Sequence, residues 1–567
     1  RFSKMLVTIK TDVPVSLSLD ELKRKPIDSD RMRQLFDELE FRTLLQRVLG
    51  ERTDQTPAQV QQPASQQLDL FGMPLFTNAA PAPQNTPEPE LFDSPRYKTA
   101  NDVPHQYHLL DSEEEIIGFI EKIKTVDCLC MDTETTSTEA MQAELVGLSF
   151  AVREHEAYYI PIPSDSSQAR QRLDLVRPLY ENERTLKIGQ NIKYDIIVLA
   201  NYDIRVRGPL FDTMIAHYVL KPEMRHGMDY LAEVYLGYQT IHIEELIGNK
   251  GKSQRSMRDV DPAQVCDYAA EDADITLQLK TLLERELHAE GLFTLFNTME
   301  MPLVYVLAGM ERNGARIDTG ALTETSREFS QRMQLIEQEI YRLAGGAFNI
   351  SSPKQVGEVL FEKLKIVDKA KKTKTGQYVT SEEVLLNLKG KHPIVEKILD
   401  YRGYNKLLST YINALPQLIN PRTGHIHTSF NQAVTSTGRL SSSNPNLQNI
   451  PIRDENGKEV RKAFIPDEGC EFFSADYSQI ELRIMAHLSG DHNMIDAFNT
   501  GHDIHAATAA KIFKKPIAEV TSDERRRAKT ANFGIIYGIT TFGLAERMQV
   551  SRGEAKQLID EYFQTYP

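Results

Sequence analysis

Two folded regions of different class, an α/β region followed by an α+β region, are predicted by this sequence, and three observations predict them. The chain has 567 residues, too many for one hydrophobic core, so several domains are expected. From about Tyr107 to Leu292, apolar runs ("CLCMDTET", "LVGLSFAV", "AYYIPI") alternate with helical periods such as "DADITLQLKTLLEREL", the pattern of an α/β domain with a mixed sheet. From 293 to 415 the apolar period is helical almost throughout. Strand-like runs ("HIHTSF", "EFFSADYS") then return from His425 onward, before helices close the sequence.

Taken in order, residues 1–50 combine a strand-like "KMLVTIKTDV" with an amphipathic helix, "DRMRQLFDELEFRTLLQRVL". From Thr53 to Pro95 there is no lysine or arginine, and Gln, Pro and Ala dominate. Such a stretch buries too little apolar surface to order itself, so 51–105 reads as a flexible linker. Residues 106–292 form the α/β domain and 293–567 the second region. Within the latter, "KLKIVDKAKKTKTGQ" carries six lysines against one aspartate, and its Gly and Thr content opposes a helix. It is either a solvated charged loop or a phosphate-contacting tip. No internal repeat is visible.

A composition of 41% hydrophobic and 26% charged residues is that of an ordinary globular protein. No uncharged apolar run reaches eighteen residues, so no membrane partner is expected. No secretory signal opens the sequence, which starts at Arg1 and reads as a piece of something longer. Four cysteines (Cys128, Cys130, Cys266, Cys470) make no disulfide framework and fit a reducing cytoplasm. The formal net charge of −14 opposes bulk attraction to nucleic acid but leaves room for a locally basic groove.

Chemistry enters at "MDTETTSTEA". In a strand, residues i and i+2 face the same way, so Asp132 and Glu134 point together. Side by side they repel, and one is driven protonated unless a cation lies between them. Alone, the pair is either an acidic turn or the start of a metal site. "GQNIKYD" adds Asn191 and Asp195 after a strand–turn–helix pattern, and "YAAEDADIT" adds Tyr268 and Asp272 one helical turn apart. Nearby Asp203, Asp212 and Asp274 read as caps and surface.

D-x-E, N-x-x-x-D and Y-x-x-x-D in this order resemble the proofreading 3′–5′ exonucleases of the DEDD type, which have a ribonuclease H-like fold. The resemblance implies that Asp132, Glu134, Asp195 and Asp272 hold two divalent ions, and that Tyr268 orients the attacking water. Asn191 would contact the DNA strand or a carboxylate behind the metal ligands. Hard oxygen ligands favour Mg²⁺ or Mn²⁺.

A second constellation follows. "FFSADYSQIELRIMAHLSGD" reads as a buried strand that delivers Asp476 and then a helix. "DERRRAKTANFGIIYG" reads as a helix on which Arg525, Lys529, Phe533 and Tyr537 recur every four residues, drifting by roughly 40° per step. Two cations followed by two aromatics suit a nucleotide; a solvated basic turn and a buried aromatic turn are the alternative.

These stretches, with "TSTGRLSSSNPNLQNIPIR" (435–453), closely resemble the motifs of family A DNA polymerases. The resemblance implies a right-hand polymerase region: thumb 293–415, partial palm 416–488, partial fingers 489–567. Residues 1–50 resemble the tail of the family's 5′-nuclease domain. Asp476 and the carbonyl of Tyr477 would bind two metal ions, and Glu481 would exclude a ribose 2′-hydroxyl. Arg525, Lys529 and His505 would grip the triphosphate, Phe533 would pack on the sugar, and Tyr537 would stack near the template base. Arg439, Asn446, Gln448 and Arg453 would contact primer and template, and Lys406 the template strand.

The implied protein is a bacterial, cytoplasmic, monomeric DNA-templated DNA polymerase with proofreading. Its partners would be primer–template DNA, a single-stranded 3′ end and deoxynucleoside triphosphates. The sequence departs from the family at Pro567, before the His-Asp-Glu segment that supplies a second palm aspartate. Polymerisation is therefore expected to be impaired, unpaired palm strands to leave exposed edges, and the exonuclease set to be the only complete one. A stand-alone exonuclease, or a DNA-binding fragment without polymerase activity, is the alternative.

Overall fold

The computed structural model describes residues 97–566 apart from Lys252, Lys374, Arg453, Asp454, His502 and Gln549. The expectations for residues 1–50, for the linker up to residue 96 and for Arg453 lie outside the described residues. The chain divides into two compact units: one contains the described residues up to Gly314 together with Gln417–Ile450, the other Ala315–Pro416 and the residues from Pro451 onward.

The first unit is built on a six-stranded mixed sheet. In chain order its elements are β1 (Gln106–Leu109), α1 (Glu113–Ile123), β2 (Cys128–Thr135), β3 (Leu145–Arg153), β4 (Glu156–Pro161), α2 (Ser166–Glu181), β5 (Leu186–Gly189), α3 (Ile192–Ala200), β6 (Leu210–Asp212), α4 (Thr213–Leu220), α5 (Pro262–Ala289) and α6 (Met301–Asn313). The strand order is β1-β4-β3-β2-β5-β6. β3 runs antiparallel to both β2 and β4, whereas β5 is parallel to β2 and to β6. β2 is therefore hydrogen-bonded on both edges, and its apolar residues Leu129, Cys130 and Met131 are buried. Each large side chain so buried contributes about 1.5–3 kcal/mol.

Local signals set the helix ends. Ser112 and Glu115 form a reciprocal capping box at α1, and Asp261 caps α5 with Pro262 in its first turn. The buried run of α5 from Ala269 to Leu277 is inaccessible on every side, because the helix packs against the sheet and α4. Gly147, opposite Glu134 in the β2–β3 register, is forced by packing: a Cβ there would lie 2.1 Å from the Tyr159 hydroxyl. The unit also holds a hairpin of β7 (Ser429–Asn431) and β8 (Ser441–Ser443).

The second unit is mainly helical. α7 (Thr319–Ala344) and α8 (Pro393–Leu407) pack together around Ile340, Leu360, Leu385 and Ile394. The lysine-rich stretch between them carries exposed lysines, but its Leu364, Ile366, Val367 and Ala370 pack against this core, and Lys372 lies 4.3 Å from the Tyr378 ring centroid. α9 (Ile480–Ser489), α10 (Ile504–Ile512) and α11 (Ser522–Ile536) share a separate core around Leu482, Ile504, Ala531 and Leu544.

One expectation is corrected here. "EFFSADYS" is not a buried strand: residues 471–477 have no regular structure and are all exposed, Phe473 at 90%. A strand exists only through its ladder, and among the described residues no segment pairs with this run.

Candidate active sites

The first site forms where β2, α3 and α5 converge. β2 carries Asp132 and Glu134, α3 carries Asp195 in its first turn, and α5 carries Tyr268 and Asp272. A carboxylate oxygen from each of Asp132, Glu134 and Asp272 lies within 4.8 Å of the others. Asp195 joins from the side, accepting a 2.6 Å bond from the Thr133 hydroxyl. Asn191 occupies the N-cap of α3 in the left-handed region, at φ 58°, with its exposed side chain making no capping bond.

The electrostatics of this cluster are unfavourable without a cation. Burial pushes the Asp132 carboxyl up to about 6. Glu134, Asp195 and Asp272 are raised well above the carboxylate range, first by burial and then by the charge of Asp132. The Tyr268 phenol is also raised, by burial and then by Asp272. Glu134 Oε1 and Asp272 Oδ1 are buried with no hydrogen-bond partner. Orphaned carboxylate oxygens among converging like charges are the donor set of a hard divalent cation, so the residues present fit such an ion.

Sequence reasoning missed the supports of this site. Asp212 is a cap, as expected, but not a surface one: it is fully buried and accepts from the amides of Ile192 (2.9 Å) and Ile215 (3.1 Å), so one carboxylate caps both α3 and α4. Burial pushes its carboxyl up to about 6. Asp274 is likewise buried, not surface, and accepts from the Tyr107 hydroxyl (3.0 Å), the His155 amide (2.8 Å) and Gln278 (3.0 Å). Glu271 accepts from the Tyr238 hydroxyl and the Ile241 amide, each at 2.6 Å. These bonds fix the rotation of α5, and with it the aim of Asp272. An unbroken apolar and acidic run such as "AAEDADIT" was the available signal of a helix buried on all sides.

The remaining predicted residues are distributed between the two units. In the first, Arg439 is exposed on the β7–β8 turn. Asn446 caps a short turn by accepting from the Gln448 amide at 3.0 Å, and the Gln448 side chain donates to the Leu440 carbonyl at 3.2 Å. In the second, Asp476 and Tyr477 lie on the exposed run, and Lys406 is exposed in the last turn of α8. Glu481 opens α9 and accepts from the Tyr537 hydroxyl at 2.6 Å. Arg525 on α11 pairs with Asp503 at 2.6 Å, and Lys529 is exposed one turn further on. His505 is buried, 2.9 Å from the Asn532 amide nitrogen, with its ring centroid 5.6 Å from that of Phe533. Burial lowers its basicity.

Residues 107–288 match the 3′–5′ exonuclease family and residues 319–567 match DNA polymerase family A. The fold is similar to a solved structure, the POL domain of Pol1 from M. smegmatis in complex with DNA primer-template and dNTP. The TM-score is 0.69 and the identity 32%, covering 81% of this chain and 76% of that one. The chain belongs to DNA polymerase family A. Within that family, the DNA polymerase I of Pseudomonas aeruginosa is 42% identical across the whole of this chain and 59% of its own length. That of Chloroflexus aurantiacus is also 42% identical, across the whole chain and 60% of its own length. The chain thus spans about three fifths of the length of these family A relatives.

Proposed function

We propose that the chain carries a 3′–5′ exonuclease centre at Asp132, Glu134, Asp195 and Asp272, within a DNA-templated DNA polymerase. The single observation that carries this reading is the cluster of buried carboxylates with orphaned oxygens on the elements the exonuclease match covers. Its substrate would be a single-stranded 3′ end; the polymerase region would take primer–template DNA and deoxynucleoside triphosphates.

Asp132, Glu134 and Asp272 would hold one divalent ion, and Asp132 with Asp195 a second, Mg²⁺ or Mn²⁺ by donor hardness. When bound, such ions supply Lewis acidity and a water of lowered pKa for in-line displacement at phosphorus. Thr133 keeps the Asp195 carboxylate oriented. Tyr268, held high in pKa, stays a neutral donor able to orient water. In the polymerase region Asp476 and the Tyr477 carbonyl would bind metal. Arg525, Lys529 and His505 would hold the triphosphate, and Phe533, Tyr537 and Glu481 would form the nucleotide pocket. Asn191, Lys406, Arg439, Asn446, Gln448 and Arg453 would contact DNA. The domain division at 106–292 and 293–567, a monomeric state and a cytoplasmic location complete the proposal.

One observation favours a second reading, exonuclease without efficient polymerisation: among the described residues, no three-donor group includes Asp476. Both readings are tested on a 3′-end-labelled single strand with Mg²⁺. Shortening by the intact chain that disappears in Asp132→Ala supports the centre, and no shortening by the intact chain overturns it. Primer extension by the same preparation separates the two readings.

A further inference from the structure

The β7–β8 hairpin falls within the polymerase match yet packs with the exonuclease unit, and its attachments are specific. At its base, Lys193 of α3 forms a buried ion pair with Glu311 of α6 and also donates to the Phe430 carbonyl. The Phe430 amide donates to Glu311 at 2.7 Å, so the outer edge of β7 is closed by an ion pair instead of a strand. At the turn, the hydroxyl of Tyr218 on α4 donates to the Thr435 carbonyl at 2.7 Å and accepts from the Gly438 amide at 3.0 Å. Tyr218 is only 5% exposed. Within the turn, the Thr435 hydroxyl donates to the Arg439 carbonyl at 2.7 Å, and Gly438 takes φ +77°.

We infer that Tyr218 is a positioning residue for DNA binding: its hydroxyl holds the 435–439 turn in the shape that presents Arg439 to the primer–template duplex. The inference rests on the proposed DNA contact of Arg439. A single phenol oxygen satisfies the Thr435 carbonyl and the Gly438 amide, both in the turn just before the arginine, and both are left unpaired when the oxygen is removed. Through Asp212, which caps both α3 and α4, the helix that holds the turn is tied to the helix that carries Asp195. The exonuclease unit thereby shapes a contact that serves polymerisation.

The test is a double-mutant cycle on the full chain, reading the dissociation constant of a fluorescent primer–template duplex at fixed ionic strength. Tyr218→Phe is expected to weaken binding about fivefold, the scale of one or two lost hydrogen bonds. Arg439→Ala is expected to weaken it at least as much, and the double variant to match Arg439→Ala alone. A merely structural tyrosine would give multiplying losses, and that result overturns the inference. So does an unchanged constant in Tyr218→Phe when Arg439→Ala binds weakly. A neutral Arg439→Ala overturns the proposed DNA contact itself, and this inference with it. Gly438→Ala strains the same turn from an exposed position with open space around the new Cβ. It is expected to reproduce the loss if Tyr218→Phe folds poorly; a Gly438→Ala chain that binds normally counts against the inference.

Discussion

Asp132 and Asp476 follow similar stretches of sequence, "CLCM" and "FFSA", but their surroundings are opposite. β2 has hydrogen-bonded neighbours on both edges, α5 packed against it, and two orphaned carboxylate oxygens at the site it helps to form. Residues 471–477 have no ladder partner among the described residues and are exposed throughout. The contrast teaches that an apolar run ending in an acid specifies a strand only where neighbours exist to close its backbone bonds. It also separates two energetic situations: a carboxylate that the fold holds against its own preference, and one that costs the fold nothing.

The largest expected effect breaks the scaffold on the ordered side. Lys193→Met leaves Glu311 charged, buried and short of its cation, and should destabilise the first unit by about 3–5 kcal/mol in urea unfolding. Loss of less than about 1 kcal/mol would show that the ion pair is not a support of that unit.

Next is acidity. His217 is 2% exposed, its Nδ1 lies 2.8 Å from His226 Nδ1, and burial pushes its pKa down to about 4. The Tyr230 and Tyr235 rings and Lys221 also face it. A histidine depressed in the folded state contributes stability above its unfolded pKa and loses it on acidification. The first unit should therefore lose up to about 3 kcal/mol as pH falls from about 6.5 to about 4. His217→Gln should flatten that slope; an unaltered profile in the variant contradicts the assignment.

The smallest effects compare the two carboxylates directly. With EDTA present at alkaline pH, where the raised Asp272 carboxyl is made to ionise, Asp272→Asn removes a charge from among like charges and should stabilise the chain by about 1–2 kcal/mol; with Mg²⁺ and no EDTA it should abolish shortening of DNA. Asp476→Asn, exposed and unpaired with any core, should change stability by less than about 0.5 kcal/mol. Equal effects on thermal unfolding would dissolve the comparison.

Legibility followed the range of the interactions. The turn before Asp195 and the one-turn spacing of Tyr268 and Asp272 were readable because each depends on neighbours within a few residues, and the family, the mixed sheet and β2 because their motifs and apolar runs stand out in the sequence itself. The burial of Asp212, a cap as expected, and of Asp274 was not readable. Asp274 sits two residues after Asp272, roughly 200° around the helix, and its partners Tyr107 and His155 are distant in sequence. The packing of residues 417–450 with the first unit was hidden for the same reason: nothing local in "HTSFNQAVTSTGR" announces Lys193 or Tyr218 as its support.

That discontinuous chain path has a consequence for synthesis on the ribosome. The first unit is left at Gly314 and rejoined at Gln417, so its last contributor, Ile450, emerges 136 residues after the first part is complete (450 minus 314). At about 5–20 residues per second, that interval is on the order of ten seconds. For most of it, until residues 430–438 are made, Lys193 and Glu311 have no Phe430 to close upon, and the Tyr218 hydroxyl has no turn to hold. The nascent first unit must wait for residues 417–450 before its own wall is finished.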